Sequence, residues 1–92
     1  VNNDPNMALL KMKQFVGEDS FHLSFDVDCM DPSIISSTGT PVENGLLFEP
    51  TKLILKELMS KKTMINMDIT ELNFNLGNSE KSLKNILNLM NI

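Results

Sequence analysis

Apolar and polar positions change period several times along the 92-residue chain, and each change marks an element. Asp4-Pro5 offers an N-cap followed by proline at the first helical position. Leu9, Met12, Phe15 and Val16 then recur at roughly helical spacing, which predicts a helix over 5–16. Gly17-Glu18-Asp19-Ser20 breaks it. Phe21, Leu23, Phe25 and Val27 alternate with His22, Ser24, Asp26 and Asp28, which is the period of a strand over 21–28 that ends in two carboxylates. From Asp31 to about Leu47 the residues turn to Pro, Ser, Thr, Gly and Asn. That connection is far longer than the usual ~4–6 residues, and ordered loops of such length are usually functional.

A second helix is expected from Pro50, with Ile54/Leu58 and Leu55/Met59 as i,i+4 pairs and Lys61-Lys62 placed favourably for its dipole. Thr63 to about Asn73 reads as a second strand. Ser79 is the expected N-cap of a last helix, in which Leu83, Ile86, Leu87 and Met90 fall at i, i+3, i+4 and i+7 and the pattern runs on to Ile92. Helix, strand, long loop, helix, strand, helix is the rhythm of an α/β sheet with parallel strands and crossover helices. Two strands make no stable parallel sheet by themselves, since such sheets are covered on both faces. The elements are therefore expected to add to strands encoded upstream.

Composition narrows the function classes. With 41% hydrophobic and 22% charged residues the chain resembles a piece of a sizeable core rather than a disordered tail. A net charge of -4 without a dense Lys/Arg cluster gives no electrostatic footprint for nucleic acid or anionic lipid. No apolar run approaches the ~18 residues of a membrane span, and the start has neither the basic nor the apolar region of a signal peptide. The lone cysteine, Cys29, excludes an internal disulfide; with the missing signal it sets a cytoplasmic location as the default expectation. The absent initiator Met hints at truncation.

Chemistry concentrates at the ends of the strands. Residues two apart on a strand share a face, so Asp26 and Asp28 are expected to reach into one small volume at the C-terminal end, where open α/β sheets place their ligands. Two carboxylates there repel unless a cation neutralises them, and oxygen donors select hard ions such as Mg²⁺ or Mn²⁺. The alternative is that both cap the strand end by accepting loop amides. A metal pair ~3.5–4 Å apart needs more ligands than these two. Asp31 is a third acid nearby. His22 lies four residues back from Asp26, about 13 Å along an extended strand, and reads as a hydrogen-bonded core histidine. Cys29 reads as packing or loop, and the seven methionines as core filler. Ser37-Thr38-Gly39-Thr40-Pro41 is turn chemistry, or hydroxyls and amides that line a pocket. Glu71, closing the second strand, is either a capping acid or a partner for a planar cation such as guanidinium.

Taken together, Ser24-Phe25-Asp26-Val27-Asp28-Cys29-Met30-Asp31-Pro32, Ser37-Thr38-Gly39-Thr40-Pro41-Val42 with Gly45-Leu46, and Met67-Asp68-Ile69-Thr70-Glu71-Leu72-Asn73 resemble the arginase family, the binuclear-manganese ureohydrolases. The resemblance covers about residues 20–78; the flanking helices match in type. It implies a three-layer α/β/α fold with a mostly parallel sheet, of which 1–92 would be the C-terminal portion of a single domain. It also implies that Asp26 bridges two Mn²⁺ ions and Asp28 binds one of them, that Thr40 lies beside the substrate, and that Glu71 contacts the guanidinium of L-arginine, which is hydrolysed to ornithine and urea. Homotrimers are the family habit.

Ser36 stands where many members have proline, Asn44 where glycine is usual and Phe74 where proline is common, changes that bear on loop stiffness. The family's Asp-x-His-x-Asp segment, its other histidine ligand and its proton-transfer histidine would lie upstream, so the 92 residues alone are expected to be inactive. Val42 after Thr-Gly-Thr-Pro leans towards arginase, with agmatinase or another ureohydrolase as the enzyme alternative. A non-catalytic module retaining half the fold for assembly is the alternative from another class.

Overall fold

The computed structural model describes residues 2–40 and 42–90. Val1, Pro41, Asn91 and Ile92 lie outside the described residues, and with them the expected proline exit of the loop and the last residues of the final helical pattern. The order is α1 (Pro5–Val16), β1 (Phe21–Asp26), a 3₁₀ turn (Val27–Cys29), α2 (Phe48–Met59), β2 (Met64–Thr70) and α3 (Ser79–Leu89). α1 begins as its sequence predicts. Asp4 accepts the Met7 amide, Pro5 occupies the first turn, and Gly17, at φ 55°, closes the helix by donating its N–H to the Lys13 carbonyl.

β1 and β2 pair in parallel, with Ser24 opposite Asp68 and Asp26 opposite Thr70, and α2 lies in the connection between them. The expected α/β rhythm is thus present, with several boundaries shifted. β1 stops at Asp26 rather than Asp28. α2 starts at Phe48, two residues before Pro50; the first turn of a helix tolerates proline because its N–H groups lack intrahelical partners. β2 covers only Met64–Thr70 of the expected 63–73, because Glu71 turns at φ 66°. The cap of α3 is Asn78, whose Oδ1 accepts the Lys81 N–H at 3.1 Å, rather than Ser79.

The main core gathers Phe25, Val27, Met30, Ile35, Leu55, Ile86, Leu89 and Met90, and a smaller one joins Leu9 of α1 to Ile54 and Leu58 of α2. Burying each such side chain contributes about 1.5–3 kcal/mol. Much apolar surface stays outside. Phe15 is 90% exposed and Ile65 71%, and Leu83 and Leu87, expected on the buried face of α3, are exposed while Ser82 is buried. Met7 and Met12 are exposed too, so the methionines are only partly core filler. His22 is exposed rather than a core residue: β1 carries it on the open face of a two-stranded sheet. Among the described residues no helix is long and apolar enough to cross a membrane.

The loop between β1 and α2 is held by one tight passage. Met30 and Leu46 form a parallel bridge, with Leu46 N–H donating to the Cys29 carbonyl and Asp31 N–H to the Leu46 carbonyl, both at 2.9 Å. Asn2 pins the same loop segment from outside: its Nδ2 donates to the Gly45 carbonyl and its Oδ1 accepts the Leu47 N–H. A Cβ on Gly45 would stand 2.6 Å from the Asp31 nitrogen and 2.7 Å from the Met30 carbonyl carbon, both backbone atoms that cannot swing aside. Gly45→Ala is therefore expected to destabilise the protein by about 1–3 kcal/mol, read as a lowered urea midpoint at unchanged slope; an unchanged midpoint would refute the close passage.

Candidate functional site

The rim at the C-terminal end of the two strands is shaped by what the chain must bury there. Val27 and Met30 are wholly buried. A continuing strand would send residues of one parity to each face. The 3₁₀ turn instead tucks Val27 and Met30 inward and leaves Asp26 exposed and Asp28 half-exposed. The two carboxylates meet because of this turn, not because they share a strand face. Asp26 Oδ1 accepts the Asp28 N–H at 3.3 Å.

The loop returns to the same rim. Thr40 Oγ1 donates to Asp28 Oδ2 at 2.9 Å, so the Thr-Gly-Thr segment touches the carboxylate pair directly. Glu71 sits just after β2, and its charge raises the proton affinity of Asp26. Its backbone is left-handed, which costs a residue with a Cβ roughly 1–2 kcal/mol. Asn44 is the other described non-glycine residue with positive φ, at 58°, a conformation that asparagine tolerates and glycine adopts freely. Asp31 is used locally: Oδ1 accepts the Ser33 N–H at 2.9 Å and the Ser33 hydroxyl at 2.7 Å, and these bonds hold its carboxyl below the ordinary value.

The electrostatics of the rim are unbalanced. The Asp26 carboxyl is pushed above its ordinary value first by a hydrogen bond shared with the Asp28 carboxyl, then by partial desolvation and by the charges of Asp28 and Glu71. Burial, with the charges of Asp26 and Asp28, also pushes the Cys29 thiol up, which disfavours a thiolate nucleophile. An all-oxygen pair in this state fits part of a site for a hard divalent cation. It is not a complete one, since no group of three or more potential metal-ligating side chains occurs among the described residues. Beneath the opposite face of β1 lies an apolar cavity of about 140 Å³, lined by Leu23, Phe25, Ile54 and Leu58 among others, to which neither Asp26 nor Asp28 contributes.

Two features escaped the reading of the sequence. Asp68 accepts the Ser24 hydroxyl at 2.7 Å and bonds His22 Nε2 at 3.0 Å, an interstrand cluster that lowers its proton affinity. The alternation of His22 and Ser24 on β1 carried the signal, because parallel pairing sets Ser24 beside Asp68. Ser82 is the second. A serine on an apolar helical stripe gave no cue, yet its Oγ is buried and accepts the N–H groups of Ser36 and Ser37.

The family model described as the arginase family matches residues 2–91. Among curated relatives, the chain is 43% identical over 61 residues to an arginase of Entamoeba histolytica, covering 66% of this chain and 21% of that protein. It is 38% identical over 68 residues to mitochondrial arginase-2 of Homo sapiens, covering 74% and 19%. The chain thus spans about a fifth of the length of these relatives. Its fold superposes with a TM-score of 0.86 on the crystal structure of Entamoeba histolytica arginase in complex with L-ornithine, at 31% identity over 94% of this chain and 29% of that one. The native arginase of Bacillus caldovelox gives 0.83 at 27% identity, again over 94% and 29%.

Asp26, with its raised proton affinity, stabilises the fold at low pH and loses that contribution as pH rises through its folded value. Asp26→Asn is accordingly expected to raise the melting temperature in EDTA at pH 7, with the gain vanishing below about pH 4; a lower melting temperature at pH 7 would contradict it. Asp68 has the opposite sign, contributing stability above its ordinary value that is lost as pH falls. Asp68→Asn should lower the urea midpoint at pH 7, with the difference shrinking as pH falls below the ordinary carboxylate value.

Proposed function

Because the chain belongs to the arginase family, we propose that residues 1–92 form the C-terminal portion of a ureohydrolase domain that hydrolyses the guanidinium group of L-arginine to ornithine and urea. The observation that carries this reading is the carboxylate pair on the rim, with Thr40 hydrogen-bonded to Asp28 and Glu71 close enough to act on Asp26. In it Asp26 and Asp28 would be the residues of this chain that hold the Mn²⁺ ions. Bound manganese would supply Lewis acidity and water of lowered pKa at neutral pH. The hydrogen bond shared with the Asp28 carboxyl, then desolvation and the neighbouring negative charges, raise Asp26, and a divalent cation between the two carboxylates would favour their charged forms instead.

The remaining roles in this reading are those the family resemblance implies, and the rim is compatible with them. Thr40 directs one Asp28 oxygen by its hydrogen bond and leaves the other free to bind metal. In this reading Thr40, beside the pair, also borders the substrate. Glu71 presents a carboxylate to a planar guanidinium, which can donate two parallel charge-assisted bonds. The left-handed backbone at Glu71 fits a residue kept for its side chain despite conformational strain. The complementary ligands and the proton-transfer group belong, in this reading, to segments outside the 92 residues, and the working assembly is a cytoplasmic homotrimer.

Full-length protein carrying this chain is expected to release urea from arginine in a manganese-dependent manner, and faster than from agmatine. Asp28→Asn should weaken manganese about a hundredfold or more and Thr40→Val about tenfold, the range typical of groups that orient a ligand. Metal retained at full affinity by both Asp26→Asn and Asp28→Asn would overturn the ligand assignment, and urea from agmatine alone would move the substrate. Sedimentation at low and high protein concentration checks the trimer.

A further inference from the structure

We infer that Ser82, on the buried side of α3, is a positioning residue that sets Thr40, and through it Asp28, by holding the backbone of the β1–α2 loop. This inference rests on the proposed reading of the rim and extends it to a helix that never reaches it. Ser82 Oγ accepts the Ser36 N–H at 3.1 Å and the Ser37 N–H at 3.2 Å, so a single side chain 1% exposed satisfies two consecutive loop amides. A proline at 36 could make no such bond. Ser36 answers from its own side, its Oγ accepting the Asn78 N–H at 2.8 Å at the cap of α3. Gly77, at φ 60°, permits this contact: a Cβ there would overlap the carbonyl and hydroxyl oxygens of Ser36.

Two arms leave the anchored segment. In one, Thr38 N–H folds back on the Ser36 carbonyl at 2.9 Å, and two residues later Thr40 donates to Asp28. In the other, the Ser37 carbonyl accepts the Asn73 N–H at 2.7 Å, two residues beyond Glu71. The anchor at Ser82 therefore sits at the junction of the metal-side and substrate-side arms. Ser37 and Thr38 are themselves buried, which leaves the segment little freedom once Ser82 holds it.

The test is made on the full-length protein with Ser82→Ala, and with Ser82→Cys, which keeps bulk but is a weak acceptor, should the alanine variant fail to fold. Amide exchange at Ser36 and Ser37 is expected to rise about tenfold or more. ¹⁵N order parameters at Gly39 and Thr40 should fall towards the flexible range below about 0.6. The manganese dissociation constant should rise about tenfold. Paired with Thr40→Val, the double variant should bind manganese no more weakly than Thr40→Val alone, because both changes remove the same control of Asp28. Loosening confined to Ser36 and Ser37, or fully additive losses of manganese affinity, would overturn the inference and leave Ser82 a packing residue. If the unsubstituted protein binds no manganese, the reading of the rim fails, while the order parameters at Thr40 still decide whether Ser82 positions it.

Discussion

The rim depends on one constraint: at the end of β1, Val27 and Met30 must both enter the core although they are three residues apart. A strand cannot do this, since its faces alternate every residue. The 3₁₀ turn over Val27–Cys29 can, because residues three apart eclipse in that geometry. The acidic residues between and before the two anchors are thereby forced outward together. The loop that follows inherits its direction from Met30, whose bridge to Leu46 brings the chain back at the foot of α2. Hydrophobic burial thus decides where the carboxylates stand, and electrostatics has to be reconciled with that placement afterwards.

That reconciliation differs between the two acidic positions of the sheet. Asp68 faces Ser24 and His22 across the parallel pair and has two donors, so its charge is stabilised where it stands. Asp26 has a backbone amide and a competing carboxylate, and its charge is resisted. A protein interior or rim that leaves one acid satisfied and another frustrated marks the frustrated one as a candidate for chemistry. The same contrast separates Asp31, which Ser33 ties into the loop, from Asp28, which the loop orients through Thr40.

Much of this was legible in the sequence, and the parts that were not share a cause. Element type and order followed from period, as did the start of α1 at Asp4-Pro5, because capping and periodicity are local signals. The grouping of Asp26, Asp28, Thr40 and Glu71 was legible through the family resemblance, whereas the aspartates meet through a 3₁₀ turn and not on a shared strand face. The end of β1, the exposure of Leu83 and Leu87 and the role of Ser82 depend on which partners each side chain meets across the fold. No window of the chain contains that information. His22 is hydrogen-bonded, as expected, but exposed rather than in the core, for the same reason: alternation gives the face of a residue, but not whether anything covers that face.

The two-stranded sheet also has consequences for the chain handled by itself. Among the described residues β1 pairs only with β2, so each strand has one side whose backbone N–H and C=O groups find no sheet partner, and Ile65 stands on the surface of β2. Such margins are templates for strand addition between copies. The polypeptide in isolation is thus as much an aggregation problem as a folding one, and a lysine or proline placed on an outward-facing strand position would act as a gatekeeper against self-association without touching the rim.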